Sequence, residues 1–141
     1  MNQHLHLVTL GVRDLQKSVA FYTEILGWKP SSNSNDDVAF IQAGGVVLSI
    51  YPREKLSEDA RVSPEGNGFS GITLAYNAQS EAEVDEIIGD LESQGVKIVK
   101  EPQKVFWGGY SSYFADPDGY LWEVAYNPFF PFDENGNLKL D

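Results

Sequence analysis

Glu123 is the side chain in this sequence best placed to do chemistry. It is the single carboxylate within "YLWEVAYNP" (120–128), an otherwise apolar, strand-like run. Burying a lone charge is costly unless something meets it. Glu123 therefore faces a metal ion, a cationic ligand or water. Other chemistry-bearing residues are few. There is no cysteine, which excludes thiolate metal sites, cysteine nucleophiles and disulfides. His4 and His6 are the only histidines. In "VFWGGYSSYF" (105–114), aromatic side chains flank two glycines. Trp107 and Tyr110 are the candidates there for a rim that clamps a flat or cationic ligand. Gly108–Gly109 has no longer phosphate-binding motif around it.

The elements that must position Glu123 occur twice. "LHLVTLGV" (5–12) reads as a strand. In "DLQKSVAFYTEILG", Asp14 is the expected N-cap, Leu15, Val19, Tyr22 and Leu26 recur at helical spacing, and Gly27 ends the helix. "DVAFIQAG" (37–44) and "VVLSIYP" (46–52) are the next strands. The second half repeats this order. "FSGITLAY" (69–76) is a strand, and "SEAEVDEIIGDLESQG" (80–95) is a helix opening on the capping-box pair Ser80 and Glu83. "VKIVKEP" (96–102), "GYSSYFA" (109–115) and "YLWEVAYNP" (120–128) come after it as strands, the last two joined by the turn Asp116–Gly119. Val8-Thr9-Leu10 matches Ile72-Thr73-Leu74, and Leu48 to Tyr51 matches Glu123 to Tyr126 at a longer offset. The second half thus carries an insertion between helix and last strand. A duplicated strand-helix-strands unit suggests two modules around one sheet-lined cavity.

Length and composition fit this plan. At 141 residues the chain suits one domain with its own core. A net charge of −11 repels phosphate backbones and argues against nucleic acid as a partner. On charge alone, the acidity is enough to explain as solubility. No apolar run is long enough to span a membrane, and the start lacks the features of a signal peptide. A cytoplasmic location is the expectation.

"HLVTLGVRDLQKSVAFYTEILGW" resembles the opening of the glyoxalase/bleomycin-resistance/extradiol-dioxygenase (vicinal oxygen chelate) superfamily, and "YFADPDGYLWEV" resembles its closing hairpin. The resemblance implies an α+β fold of two βαβββ modules, each a curled mixed sheet around a pocket. The implied organisation is a single domain over 1–141: first module 1–52, connection 53–68, second module 69–128 and C-terminal extension 129–141. It also implies a homodimer.

Family enzymes hold a divalent metal with four side chains on the first and last strands of each module. Carried onto this sequence, those corners are Leu7, Leu48, Gly71 and Glu123. Only Glu123 can ligate, so no metal and no other cofactor is expected. His6 adjoins Leu7, but strand alternation turns it to the opposite face. The same alternation lines the cavity with Leu7, Thr9, Leu48, Ile50, Gly71, Thr73, Leu121, Glu123 and Ala125. No Arg, Lys or His is expected on that wall.

The resulting expectation is a superfamily protein without the usual metal centre, binding a small organic ligand, cationic or aromatic, in its cavity. The alternatives are a glyoxalase-like lyase or a dioxygenase, metal-dependent or using Glu123 as general base. A hydrated Glu123 with no chemistry is the plainest reading.

Overall fold

The computed structural model describes residues 1–140; Asp141, the end of the expected C-terminal extension, lies outside the described residues. The backbone divides into two units, Met1–Gly68 and the chain from Phe69 onward.

In the first unit, β1 (Leu7–Val12) leads to α1 (Leu15–Ala20). The Asp14 carboxylate caps this helix, accepting from the Lys17 N–H at 3.0 Å. The helix then widens into a π-helical turn, Phe21–Ile25, in which the Leu26 N–H reaches the Phe21 carbonyl at 3.0 Å. Ser18, Phe21 and Tyr22 fill the interior, while Leu15, Val19 and Leu26 are only half-buried. The stripe at regular helical spacing is thus only partly the buried one; the wide turn shifts the angular position of Leu26, which follows it.

The strands β2 (Ala39–Ala43) and β3 (Val46–Pro52) complete a sheet of order β1-β3-β2. β1 runs parallel to β3, and β2 antiparallel to it. An isolated bridge, Pro30 to Ile41, stands where a fourth strand of the module would begin. Leu10, Val12, Ile41, Leu48 and Ile50 form the core. The connection 53–68, to which the sequence assigns no element, opens with α2 (Arg53–Ala60). Arg53, Leu56 and Ser57 give this helix its inward side, and Leu56 alone of them is apolar, so its sequence carries almost no apolar period. It docks on β1 at Gly11, where a Cβ would come within 3.2 Å of the Arg53 Cα and 3.1 Å of the Leu56 side chain.

The second unit runs β4 (Thr73–Ala78), α3 (Glu81–Ser93), β5 (Lys97–Lys104), β6 (Tyr110–Ala115) and β7 (Leu121–Tyr126). The sheet order is β4-β7-β6-β5, with β4 and β7 parallel and the other pairs antiparallel. The Ser80 cap at α3 forms as expected, with the Glu83 N–H donating to the Ser80 hydroxyl at 3.1 Å, while the Glu83 carboxylate accepts from the N–H of Gln79, one residue before the cap, rather than completing the box at Ser80. Val84, Ile88 and Leu91 are buried in α3, and Trp122, Val124 and Phe114 are buried on the sheet. The Phe114 and Trp122 rings are stacked with centroids 6.2 Å apart. The turn before β7 closes with the Gly119 N–H on the Asp116 carbonyl at 3.0 Å. Beyond β7 the tail makes a small hairpin, with a bridge from Phe132 to Leu138. Among the described residues, no helix is long and apolar enough to cross a membrane.

Candidate functional site on the open face of the second sheet

Strand alternation gives the second sheet two faces. Tyr76 and Tyr110 point to the α3 side, where their hydroxyls donate to Glu83 Oε1 at 3.0 Å and Asp85 Oδ1 at 2.7 Å. The acceptor carboxylates raise both tyrosine pKa values, with burial the larger cause for Tyr76 and the hydrogen bond the larger for Tyr110. The other face carries Thr73 and Ala75 of β4, Leu121, Glu123 and Ala125 of β7, and Ser111 and Tyr113 of β6, which lie opposite one another in register.

Glu123 sits in the middle of a polar chain on this face. The Ser111 hydroxyl donates to Glu123 Oε2 at 2.8 Å, and the Lys100 ammonium donates to the same hydroxyl at 3.4 Å. Tyr113 is the cross-strand partner of Glu123. Burial, and then interaction with the Glu123 carboxylate, push the Tyr113 phenol above its ordinary pKa. Lys100 Nζ also lies 5.6 Å from the Tyr113 ring centre, within cation–π range. A cation, two hydroxyls and a carboxylate thus span β5, β6 and β7. Ser111 is buried, whereas Lys100, Tyr113 and Glu123 are partly open.

Lys100 overturns the expectation of a wall without cations. Ile98 pairs with Phe114, but Lys100 pairs with Tyr113 rather than with the next residue in step. This bulge gives β5 one extra residue and turns Lys100 from the α3 face to the Glu123 face. Strict alternation along "VKIVKEP" hides it.

Other expected wall residues are placed differently. Leu48 and Ile50 pair with Val8 and Leu10, so they lie on the opposite face from Leu7 and Thr9. At 4% and 0% exposure they are core, which corrects the cavity-wall reading. The reason is register. Gly11 pairs with Tyr51. Ala75, which matches Gly11 when Val8-Thr9-Leu10 is laid on Ile72-Thr73-Leu74, pairs with Glu123. The repeat mate of Glu123 is therefore Tyr51 and not Leu48. Leu7 and Thr9 instead share their face with Val47 and Ser49. Gly71 is exposed, precedes β4 and has a φ of 80°, so it is a bend residue rather than part of a strand. Tyr110 is committed to Asp85 on the α3 side and is not a neighbour of Glu123 on the open face. Trp107 lies in the β5–β6 turn with its indole folded over Gly109, so that any Cβ at position 109 would collide with the ring.

At the positions expected as metal corners, with Tyr51 in place of Leu48, Leu7 and Gly71 offer no donor atom from a side chain, Tyr51 offers a phenol, and the Glu123 carboxylate already holds the Ser111 hydroxyl. Among the described residues, no three His, Cys, Asp or Glu side chains gather into a group that could hold a metal ion.

The fold is of the vicinal-oxygen-chelate type. The protein belongs to the Glyoxalase/Bleomycin resistance protein/Dioxygenase superfamily, whose family model matches residues 4–124. The crystal structure of a glyoxalase-related enzyme from Fulvimarina pelagi superposes with a TM-score of 0.89 at 34% identity, covering 99% of each chain. The fosfomycin resistance protein FosX of Listeria monocytogenes is 32% identical over 83% of this chain and 84% of its own. The glutathione transferase FosA of Serratia marcescens is 31% identical over 88% of this chain and 81% of its own.

Proposed function

We propose that this protein binds a small polar organic molecule on the Glu123 face of its second sheet without a metal ion. The Lys100–Ser111–Glu123 chain is the observation that carries this reading. An acidic group on the ligand would take the Lys100 ammonium, and a neighbouring hydroxyl or amine would donate to Glu123. Tyr113 would bound the site with its ring, and Trp107 is our candidate for an aromatic rim. Lys100 shifts the expected ligand from a simple cation to a molecule carrying both an acceptor and a donor. The donor set at the inherited corners does not fit a divalent ion, which needs three or more oxygen or nitrogen ligands.

A second reading is supported by the same lysine. With Glu123 as general base, Lys100 and Tyr113 would supply the electrophilic partners that stabilise developing negative charge. The transferase and resistance relatives make fosfomycin the first compound to try as a substrate. We place the protein in the cytoplasm on its cysteine-free, acidic composition, and we propose a homodimer on the superfamily's habit.

Calorimetric titration tests the binding reading, using small hydroxy acids, amino acids, aromatic amines and fosfomycin against the wild type, Lys100→Met and Glu123→Gln. The reading expects saturable binding that both substitutions weaken. Binding unchanged by either removes the proposed anchors. Phosphorus NMR of fosfomycin, with and without glutathione, tests for turnover. Elemental analysis after soaking with nickel, manganese, iron or zinc tests the metal-free clause, and one retained equivalent of metal overturns it.

A further inference from the structure

The sequence holds two Asn-Gly steps, Asn67–Gly68 and Asn135–Gly136, and the structure treats them differently. Glycine after asparagine leaves the side-chain amide open to attack by the next backbone nitrogen, because no Cβ obstructs the approach. At Asn135 that nitrogen is engaged. The Gly136 N–H donates to the Asp133 carbonyl at 3.1 Å. Asn135 N–H donates to Asp133 Oδ1 at 2.8 Å, and Asn137 N–H donates to the same oxygen at 2.9 Å. The Phe132–Leu138 bridge closes the hairpin around them.

At Asn67 nothing comparable holds the chain. Asn67 and Gly68 are both exposed, outside any helix or strand. Neither takes part in a hydrogen bond among the described residues, and Gly66 and Gly68 have φ values of 139° and 81°, where glycine moves freely. The step ends the first unit and adjoins the second.

We infer that Asn67 is a self-modification site, and that Asn135, the same dipeptide, is protected by its turn. The Gly68 amide nitrogen, having given its proton to solvent base, attacks the Asn67 side-chain carbonyl carbon. A new C–N bond closes a five-membered succinimide, the bond to the side-chain nitrogen breaks, and ammonia leaves. Water then opens the ring at either carbonyl, giving aspartate or isoaspartate. The net exchange is one water taken up for one ammonia released, and no oxidant or cofactor is needed. The product adds one negative charge at the junction of the two units. In its isoaspartyl form it also adds a methylene to the main chain there.

The experiment is incubation of the full-length protein in mildly alkaline buffer, followed by peptide mapping. Each event adds about 1 Da. The expected result is conversion at Asn67 at least roughly fivefold faster than at Asn135, since the bonded turn must open locally before its nitrogen can react. Unfolding the protein in urea should bring the two rates together, and Asn67→Gln should abolish the faster product. Equal rates in the folded protein, or a faster Asn135, overturn the inference. So does an Asn67 that stays intact in the folded chain yet reacts once unfolded, because that outcome shows hidden protection at the junction.

Discussion

Tyr113 and Glu123 face each other directly across the β6–β7 pair. The pair sets a phenol that burial keeps protonated beside a carboxylate that holds the Ser111 hydroxyl. Its pH behaviour is set by that pairing. The Tyr113 phenol is raised above its ordinary value in the folded state, chiefly by burial and then by Glu123. A raised pKa means the folded protein binds the proton more tightly than the unfolded chain. The associated stability is complete below the ordinary tyrosine range and is lost as pH rises through the folded-state value. Tyr76 and Tyr110 shift the same way. Urea unfolding should therefore show a stability that falls above pH ~10, and Tyr113→Phe should reduce the slope of that fall. A slope unchanged in the variant would remove Tyr113 from the account.

Ser111→Ala should uncouple Lys100 from Glu123. The alanine fits the space but breaks the hydroxyl bridge, leaving Lys100 only the Tyr113 ring. A stability loss of about 1–2 kcal/mol is expected from chemical denaturation. Ligand affinity should fall less than in Lys100→Met or Glu123→Gln, each of which removes a charged contact at about 1.5–3 kcal/mol. An affinity loss in Ser111→Ala as large as in both charge variants would mean that the serine itself touches the ligand.

Part of this site is legible in the sequence. The helix caps at Asp14 and Ser80 and the Asp116–Gly119 turn rest on local chemistry, so short motifs report them faithfully. The placement of Glu123 on the face away from α3 comes from alternation, because β7 is regular throughout its pairing with β6. Lys100 is hidden because a bulge is set by pairing with another strand and leaves no local signal. Leu48 is misassigned because the local match of Leu48–Tyr51 to Glu123–Tyr126 is three residues out of register with the strand pairing, which makes Tyr51 the counterpart of Glu123; an odd slip also moves the residue to the opposite face. α2 escapes the sequence pattern because its stability comes from docking on Gly11, not from an apolar stripe of its own.

Ser18 gives a test of the first unit's interior. Its side chain is fully buried in α1, and its hydroxyl has no hydrogen-bond partner among the described residues. An unsatisfied buried hydroxyl costs stability, and removing it leaves a space of only one atom. Ser18→Ala should leave the protein as stable as before or more stable by up to about 1–2 kcal/mol, read from the denaturation midpoint. A clear loss of stability would show that the hydroxyl is satisfied in solution.

Replacing glycine at 11 and at 109 should have two distinct consequences. At Gly11 a side chain would press on the α2 backbone, which cannot move without lifting the helix from β1. At Gly109 it would press on the Trp107 indole, a side chain that can swing away. Gly11→Val should therefore destabilise by about 1–3 kcal/mol, the usual range for overpacking against fixed backbone. Gly109→Ala should cost less but displace the indole, moving the Trp107 side-chain resonance in an NMR spectrum of the folded protein. If Trp107 belongs to the ligand rim, the same variant should change affinity for aromatic ligands while sparing that for small aliphatic acids. A variant that moves the resonance and leaves every affinity alone would take Trp107 out of the site.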